Sequence, residues 1–562
     1  MHHAEKTLAE HRRSGRVTKS SLGVAMAIGL ASPAMAVDFN TGESGIKASV
    51  DTTVKYTSAW RLRDPDANVV NGNDANPNTD FGDQGFSKGQ QINNRLDLYS
   101  ELNISRGDLG LRVSGAAWYD TVYRRAGNHA PTTGAPNTWA NLSGAARNAL
   151  PEDTRELMGR KAELLDAFVF GSAGLGEGRQ VNARLGRHAV TYGETLFLGA
   201  NGVAGVMAPV DLVKLYSLPT AQYKEIARPV GQASADVQLR DGWSLGAYYQ
   251  YQWVPLRVPA VGSYFSIAEF VGEGRSLFLN PFGINDGVGR VGHDMKGKSS
   301  GQYGGRVRFK PVDGNAEYGV YAGRYNDRAP IAVYTMQTNT LVNAYANDIK
   351  YAGASVSTVV GETNVAAEIS TRRNTPLAVP GDATVAFGPT DNESNTAYAR
   401  GNSLHLNLSA IAVFAATPLW QGASLVGEYA YNRLLSVTWD PVARKVGLFG
   451  LNDSHSRDAH FVRAVFTASY FQVLPGIDLD VPVGVGHGIS GRSAVFQAMP
   501  EHGGDLTIGA VANVKNAFRV GLNYTRYTGS GGMAPKPGSF SASYKNYYRD
   551  RDFIALTLQS TF

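Results

Sequence analysis

The chain has 562 residues and no cysteine, which excludes disulfides, thiolate metal sites and cysteine nucleophiles. Glycine is frequent, with 64 residues, and charged residues make up only 18% of the chain, against about 25% in soluble domains. The formal net charge of +5 falls to +2 without residues 1–36, so no charge footprint for a nucleic-acid partner remains.

The first 36 residues have the pattern of an export signal. A basic stretch from Arg12 to Lys19 precedes an apolar stretch from Leu22 to Leu30, and Ala34-Met35-Ala36 provides a small-x-small cleavage site. A membrane anchor is the alternative, but this apolar stretch is too short to span a bilayer. We therefore expect residues 1–36 to be a removed signal peptide and 37–562 to be the mature chain.

The mature chain reads as strands joined by loops that are alternately long and short. Residues 46–61 alternate between apolar and polar side chains, which is typical of a strand with one apolar and one wet face. A loop rich in Asp, Asn, Gly and Pro follows at 62–92, and two further strands meet at the Arg106-Gly107-Asp108 turn. Long loops are then predicted at 126–158, 189–230, 254–300, 327–347, 374–402, 437–458, 491–504 and 528–549. Short turns are predicted near 171–179, Asp241-Gly242, 311–315, 360–363, 416–423, 474–478 and Lys515-Asn516.

This alternation of long and short loops favours an all-β fold, a transmembrane antiparallel β-barrel of about 18 strands, with 16 as the alternative count. Long loops on one side only are expected of an outer-membrane barrel, whereas a soluble sandwich has no reason to segregate them. Aromatic residues collect at strand ends on the apolar face, among them Tyr119, Tyr123, Tyr249 and Trp253, as in an interfacial girdle. The last strand ends on Phe562, similar to the assembly signal of outer-membrane proteins.

The stretch 184–195 carries a motif. Arg184, Gly186 and Arg187 are followed by Tyr192-Gly193-Glu194, and Pro209 and Asp211 come downstream, with Ala208 in place of an Asn. This pattern resembles the signature of the domain-of-unknown-function family numbered 1302, which consists of Gram-negative outer-membrane barrel proteins. The resemblance is specific over about 180–230, while length, export signal and terminal Phe agree over the whole chain.

The resemblance implies a conduit rather than a general sugar or ion pore. Genes of this family tend to lie beside those for a periplasmic companion protein and for inner-membrane transporters of the lipid-exporting efflux superfamily. They also lie near degradation pathways for steroids, esters and other apolar compounds. The expected partners are therefore outer-membrane lipid and lipopolysaccharide, the periplasmic companion and the efflux-superfamily transporter, and the expected role is lipid or apolar-solute transport.

Residues 195–218 are too apolar for a loop in water, so the lumen wall, lipid or another chain must shield them from solvent. Folding inward would place them across the barrel, so 189–230 is predicted to be a lumen constriction or a plug. The predicted constriction and substrate path consists of Arg184, Arg187, Tyr192, Glu194, Phe197, Leu198, Met207, Asp211, Leu212 and Leu215. Glu194 and Asp211 lie near Arg184 and Arg187 in the sequence, which suggests salt bridges that pin the loop or gate it.

Charged residues on the wet strand faces are candidates for the lumen wall. The predicted lumen charges are Arg95, Asp97, Glu101, Arg306, Arg308 and Lys310. The basic ladder Arg306, Arg308, Lys310 could attract anions, or Asp97 and Glu101 could neutralise it from across the channel.

No motif indicates an enzyme. The sequence has no Gly-x-Ser-x-Gly elbow in a strand–helix context, no His-Glu-x-x-His and no phosphate loop, so no catalytic residue, metal site or cofactor is expected. The leading hypothesis is an outer-membrane channel for hydrophobic or amphiphilic molecules. The alternatives are a plugged structural barrel that anchors an envelope-spanning complex and a solute-specific anion porin.

Overall fold

The computed structural model describes residues 37–40, 45–70, 78–124, 143, 149–217, 223–279, 287–377, 383–441, 455–533 and 542–562. The predicted signal peptide, 1–36, lies outside the described residues. No described helix is long and apolar enough to cross a membrane.

Eighteen strands form one closed antiparallel barrel. The strands are β1 Ile46–Arg61, β2 Gln91–Arg106, β3 Leu109–Asp120, β4 Arg160–Gly174, β5 Gln180–His188, β6 Val230–Gln238, β7 Trp243–Gln250, β8 Gln302–Phe309, β9 Glu317–Tyr325, β10 Ile349–Val360, β11 Thr363–Pro376, β12 Arg400–Phe414, β13 Gly422–Trp439, β14 Asp458–Leu474, β15 Ile477–Ser490, β16 Gly504–Val514, β17 Phe518–Thr528 and β18 Phe553–Thr561. Each pairs with its neighbours in the chain, and β18 closes the ring on β1, from Thr53 opposite Thr561 to Arg61 opposite Phe553. A further strand, Val37–Asn40, continues the edge of β18 along β1. The predicted count of eighteen is confirmed.

The turns follow from local backbone chemistry. Lys515 and Asn516 both have left-handed φ, +50° and +53°, as a two-residue type I′ hairpin requires, and Asn tolerates this conformation well. Asp241 and Gly242 form a second such turn, with φ of +59° and +79°. Short turns and the C-terminus share one end of the barrel, and the nine long connections share the other, which we call the long-loop end.

The outer face is apolar. Leu109, Val169 and Leu185 point away from the lumen and expose 69%, 52% and 56% of their surface, as lipid contact requires. Tyr119 and Tyr249 are half exposed on this face near the long-loop end, where a girdle was predicted. Tyr123 and Trp253 were wrongly assigned to it: Tyr123 lies in a short helix and Trp253 in a loop, and both are buried.

The long loops fold into additional structure over the barrel mouth. Five short strands from three of them form a second sheet: Leu277–Leu279, Val288–Val291, Ile331–Thr335, Thr340–Ala344 and Ala383–Ala386. Short helical segments occur at Phe81–Gln84, Thr121–Arg124, Glu152–Thr154, Arg155–Gly159, Val203–Val206, Leu212–Ser217 and Tyr223–Ile226. The sequence prediction treated these regions as plain loops and missed this sheet.

Candidate functional site: an inward segment across the lumen

The loop between β5 and β6, residues 189–230, folds into the barrel, as its apolar composition predicts. We call it the inward segment. It starts at the long-loop end, reaches the lumen faces of β11 to β13, and returns to β6. In a ring of eighteen strands, β13 lies eight positions from β5, so this first part of the segment crosses to the far wall.

One carboxylate on that far wall holds the tip of the segment. Oε2 of Glu428, on β13, accepts the backbone N–H groups of Leu196, Phe197 and Leu198 at 3.2, 2.6 and 2.7 Å. Its Oε1 accepts a hydrogen bond from Asn407 at 2.8 Å. Three successive N–H groups that face one anion form a backbone nest, so the buried charge of Glu428 and the free N–H donors satisfy each other.

A second carboxylate, Glu368 on β11, holds the segment on both sides of the tip. It accepts N–H of Glu194 at 2.9 Å and N–H of Val203 at 2.6 Å. Gly193 has φ +93°, and a Cβ on Gly193 or on Gly202 would collide with the Glu368 carboxylate. Glycine is therefore required in the Tyr192-Gly193-Glu194 motif, because only glycine adopts this φ freely and leaves room for the carboxylate.

A cation completes the anchor. Arg372, also on β11, donates to the carbonyl oxygens of Ala200, Asn201 and Gly202 at 2.8, 3.2 and 2.9 Å. The Asn201 side chain in turn meets His405 at 3.2 Å and Asn432 at 3.1 Å. Together with the two carboxylates, Arg372 satisfies backbone groups between Glu194 and Gly202, a stretch that precedes the first helical turn of the segment, Val203–Val206.

Apolar side chains fill the space around this polar anchor. Phe197 and Leu198 pack with Ala430 and Phe461 on the far wall and with Met499 from the β15–β16 loop. Tyr192, Val203 and Met207 pack in a second cluster with wall tyrosines, which include Tyr248 and Tyr321. The predicted path residues Phe197, Leu198 and Met207 are therefore buried against the wall rather than exposed to a passage.

Tyr192 also links the segment to the basic ladder. The guanidinium of Arg306 lies 4.4 Å from the centre of the Tyr192 ring, within cation–π range, and its NH2 group donates to Asp236 at 2.7 Å. Arg308 pairs with Glu317, and Lys310 lies in the turn after β8, exposed. Carboxylates of β6 and β9 thus compensate Arg306 and Arg308. The predicted neutralisation by Asp97 and Glu101 is wrong, because those carboxylates pair locally.

Asp97 and Glu101 face the lumen from β2. Asp97 accepts from Arg95 at 2.6 Å, and Glu101 binds Arg112 of β3. The period-two alternation of β2 aligns Arg95, Asp97 and Glu101 on one face, which is why short-range pairs win over pairs across the lumen.

The return part of the segment is held by a different network. Asp211, just before the Leu212–Ser217 helix, binds Arg257 from the β7–β8 loop at 2.8 Å. The same guanidinium also binds Glu163 on β4, at 2.9 Å between Nη1 of Arg257 and Oε1 of Glu163. The guanidinium of Arg228 lies 3.7 Å from the Glu163 carboxylate. Burial, together with the nearby Arg257, lowers the pKa of Arg228 to about 10. Burial opposes the charge of Arg257, but Glu163 and Asp211 outweigh it and raise the pKa of Arg257.

The salt bridges predicted for this segment are therefore wrong in their partners. Asp211 pairs with Arg257, and among the described residues Arg184, Arg187 and Glu194 form no ion pair. Arg184 instead faces the Phe168 ring, 5.8 Å from its centre, while Glu194 contributes its backbone N–H to Glu368. Leu212 and Leu215 are half buried against Val210, Tyr223 and Ile226.

An apolar groove of about 950 Å³ lies outside the lumen. Leu109, Val169, Leu185 and Tyr249, which point to the lipid, border it, and small residues such as Ala233 form its floor. Lipid chains cover such a surface in a bilayer, so we do not assign the groove to the conduit.

The family profile described as Protein of unknown function (DUF1302) matches residues 17–562. The chain belongs to this family. The motif residue Gly186 has φ +131°, and a Cβ there would collide with the Ala167 carbonyl of β4, so the family motif has a structural reason in this chain. No curated protein matches the chain in sequence.

Three solved structures align with the chain over most of both lengths. OccAB2 of Acinetobacter baumannii has 11% identity and TM-score 0.41, with 92% of this chain and 98% of that chain covered. OccK1 (OpdK) of Pseudomonas aeruginosa has 10% identity and TM-score 0.39 over the same shares. The outer-membrane channel DcaP of A. baumannii has 11% identity and TM-score 0.37, with 94% and 100% covered.

Proposed function

We propose that the chain is an outer-membrane channel for hydrophobic or amphiphilic molecules such as lipid, steroid or ester-like compounds, constricted by the inward segment. The observation that carries this proposal is the apolar segment that crosses the lumen. Its return helix, Leu212–Ser217, has no fully buried residue, so the half-buried Leu212, Val213, Leu215 and Tyr216 keep part of their surface exposed inside the barrel. Apolar side chains that are partly exposed in a lumen suit an apolar solute better than a hydrated sugar.

The barrel itself has no energy source, so direction comes from a concentration gradient or from a partner. We extend the proposal to a periplasmic companion and an inner-membrane efflux-superfamily transporter, which would meet the short-turn end. We assign the short-turn end to the periplasm, because outer-membrane barrels have short periplasmic turns and longer extracellular loops.

A second candidate is a plugged structural barrel that anchors an envelope-spanning complex. The observation in its favour is the density of the anchor: Glu368, Glu428 and Arg372 bind eight backbone groups of the inward segment. An unmoving plug needs such anchoring, and a constriction needs less of it.

Uptake in cells separates these functions. Gram-negative cells that express the protein are given a hydrophobic dye that fluoresces only in lipid, and sugar entry is measured in parallel. The proposal predicts faster dye entry than in cells with an empty vector, and unchanged sugar entry. Unchanged dye entry, with the barrel confirmed in the outer membrane by its heat-dependent gel shift, would overturn the conduit and leave the plugged anchor.

A further inference from the structure

A row of charged side chains crosses the lumen face beside the return helix. Lys55 of β1 lies opposite Asp97 of β2, Asp97 opposite Trp118 of β3, and Trp118 opposite Lys161 of β4. Residues directly opposite in an antiparallel sheet have Cβ atoms about 4.5–5.5 Å apart, so the row is continuous across four strands.

Trp118 organises the cations around it. The Arg95 guanidinium lies 4.6 Å from the centre of the Trp118 ring, and that of Arg257 lies 5.5 Å from it. The indole N–H donates to the Leu157 carbonyl at 2.8 Å, which fixes the ring. A ring held in this way keeps two arginines at the lumen surface.

The inward segment adds a further cation. Lys214 is the exposed residue at the centre of the Leu212–Ser217 helix, and its charge acts on Lys55 across the gap. Asp211, three residues earlier, and Glu163, two residues after Lys161, bind the same Arg257. The return helix and the β1–β4 wall therefore meet at this network.

Positive charge exceeds negative charge here. Six cations, Lys55, Arg95, Lys161, Lys214, Arg228 and Arg257, face four carboxylates, Asp97, Asp120, Glu163 and Asp211. Asp97, Glu163 and Asp211 bind arginines, Asp120 accepts hydrogen bonds from Asn93 and Asn94, and among the described residues none of the three lysines forms an ion pair. Lys161 and Lys214 are exposed. Asp97 lies opposite Lys55, and Lys161 acts on Glu163, but both carboxylates also bind arginines. Positive charge is therefore left in excess at this wall, and it attracts an anion that enters the lumen.

We propose that these three lysines, which we call the lysine cluster, bind the acidic head of an amphiphile, and that the preferred solutes carry a carboxylate on an apolar body. The neighbouring, partly exposed side chains Leu212, Val213 and Leu215 offer an apolar surface to the remainder of such a solute. This inference rests on the proposed channel for amphiphiles and names its solute class.

The test compares two solutes of equal chain length. Laurate and dodecanol are titrated onto the purified barrel in detergent at pH 8, where the carboxylic acid is ionised, and binding is measured by native mass spectrometry. The proposal predicts that laurate binds about tenfold more tightly than dodecanol, a difference of about 1.4 kcal/mol. The variant Lys55→Gln/Lys161→Gln/Lys214→Gln should remove that difference and leave dodecanol binding unchanged.

The control variant changes three exposed lysines elsewhere: Lys88→Gln/Lys296→Gln/Lys515→Gln. It removes the same charge from the protein, so a preference that depends only on net charge would fall in both variants and contradict the inference. Equal binding of laurate and dodecanol to the wild type would also overturn the inference and leave the channel proposal standing. Binding of neither solute would count against the channel proposal itself. If the triple variant lacks the heat-dependent gel shift, Lys161→Gln alone is measured, with a partial loss expected.

Discussion

The two parts of the inward segment are held by different sets of contacts. Residues 194–203 lie against β11–β13, where two carboxylates and one arginine bind the backbone itself. Residues 211–217 are held mainly by loop residues: the Arg257 side chain binds Asp211, the Arg257 carbonyl accepts the N–H of Leu212 at 2.9 Å, and Tyr216 packs against Phe265 and Tyr548. Their surface carries the exposed Lys214. Side chains of the barrel strands fix the path of the first part, whereas the loop contacts around Arg257 can reorganise when a charged solute arrives. The first part therefore behaves as fixed architecture and the second part as the working surface.

The largest effect is expected where the fixed part loses its anchor. Glu428→Ala removes the acceptor for three buried N–H groups, each of which costs about 1–3 kcal/mol when left unsatisfied. The tip should leave the far wall, and single-channel conductance in planar bilayers should rise several-fold. Glu362→Ala, an exposed acid in the β10–β11 turn, is the matched control, and equal conductance in both variants would contradict the anchor.

A smaller effect of the same kind is expected at the motif glycine. Gly193→Ala forces a Cβ into the Glu368 carboxylate and a left-handed φ onto alanine, at a cost of about 1–3 kcal/mol. The Tm of the gel shift should fall by several degrees and the channel current should become noisier. Gly388→Ala, which meets no atom within 4 Å, should change neither. A Gly193→Ala variant with wild-type Tm would show that Glu368 does not hold the segment here.

The working surface, residues 211–217, should respond to a change at Arg257 while the fixed part stays unchanged. Arg257→Gln leaves Asp211 and Glu163 close together without their shared cation. Hydrogen exchange should increase at 211–217 while 196–203 stays protected, since the fixed part has its own anchors. Arg179→Gln, in an exposed pair, is the control. Equal deprotection of both parts would mean that they form one cooperative unit and would remove the distinction drawn above.

The smallest effect concerns the loops above both parts. Asp83 binds Arg61 at 2.6 Å, and the buried Asp80 lies near Asp83 and accepts a hydrogen bond from Gln84. Burial raises the pKa of Asp80 to about 7, from 3.8, and burial together with Asp83 raises the pKa of Asp550.

The folded loops therefore hold these protons more tightly than the unfolded chain does. The stability that the proton on Asp80 contributes to the folded loops is fully present below pH 4 and is lost as the pH rises through about 7. Hydrogen exchange of residues 78–86 should thus be faster at pH 8 than at pH 5, after correction for intrinsic rates, and Asp80→Asn should flatten this dependence. A rate ratio of one in the wild type would contradict the assignment.

Much of the barrel could be read from the sequence, because period-two alternation and turn chemistry are local. The strand number, the alternating loops and the inward fold of 189–230 follow from such local signals. The hairpin of Ile331–Thr335 and Thr340–Ala344 was missed inside a predicted loop, although its β-branched residues could have indicated it.

The anchors could not be read in the same way. Glu428 lies more than 200 residues from the backbone that it binds, so only the closed ring brings the two together. A weak signal was present: Glu368 and Glu428 are lone carboxylates on strands of small and apolar residues, where a charge requires a buried partner. Asp211 pairs with Arg257 and not with Arg184 or Arg187, which are nearer in the sequence, because ion pairs depend on distance in the folded structure.

The central claim, that the inward segment constricts the lumen, is tested most directly by single-channel conductance of the wild type and of a variant lacking 195–218. Heat-dependent gel shift of both proteins ensures that the barrels are closed. The account predicts a small current in the wild type and a several-fold larger, steady current in the deletion variant. The same steady current in both proteins would contradict it.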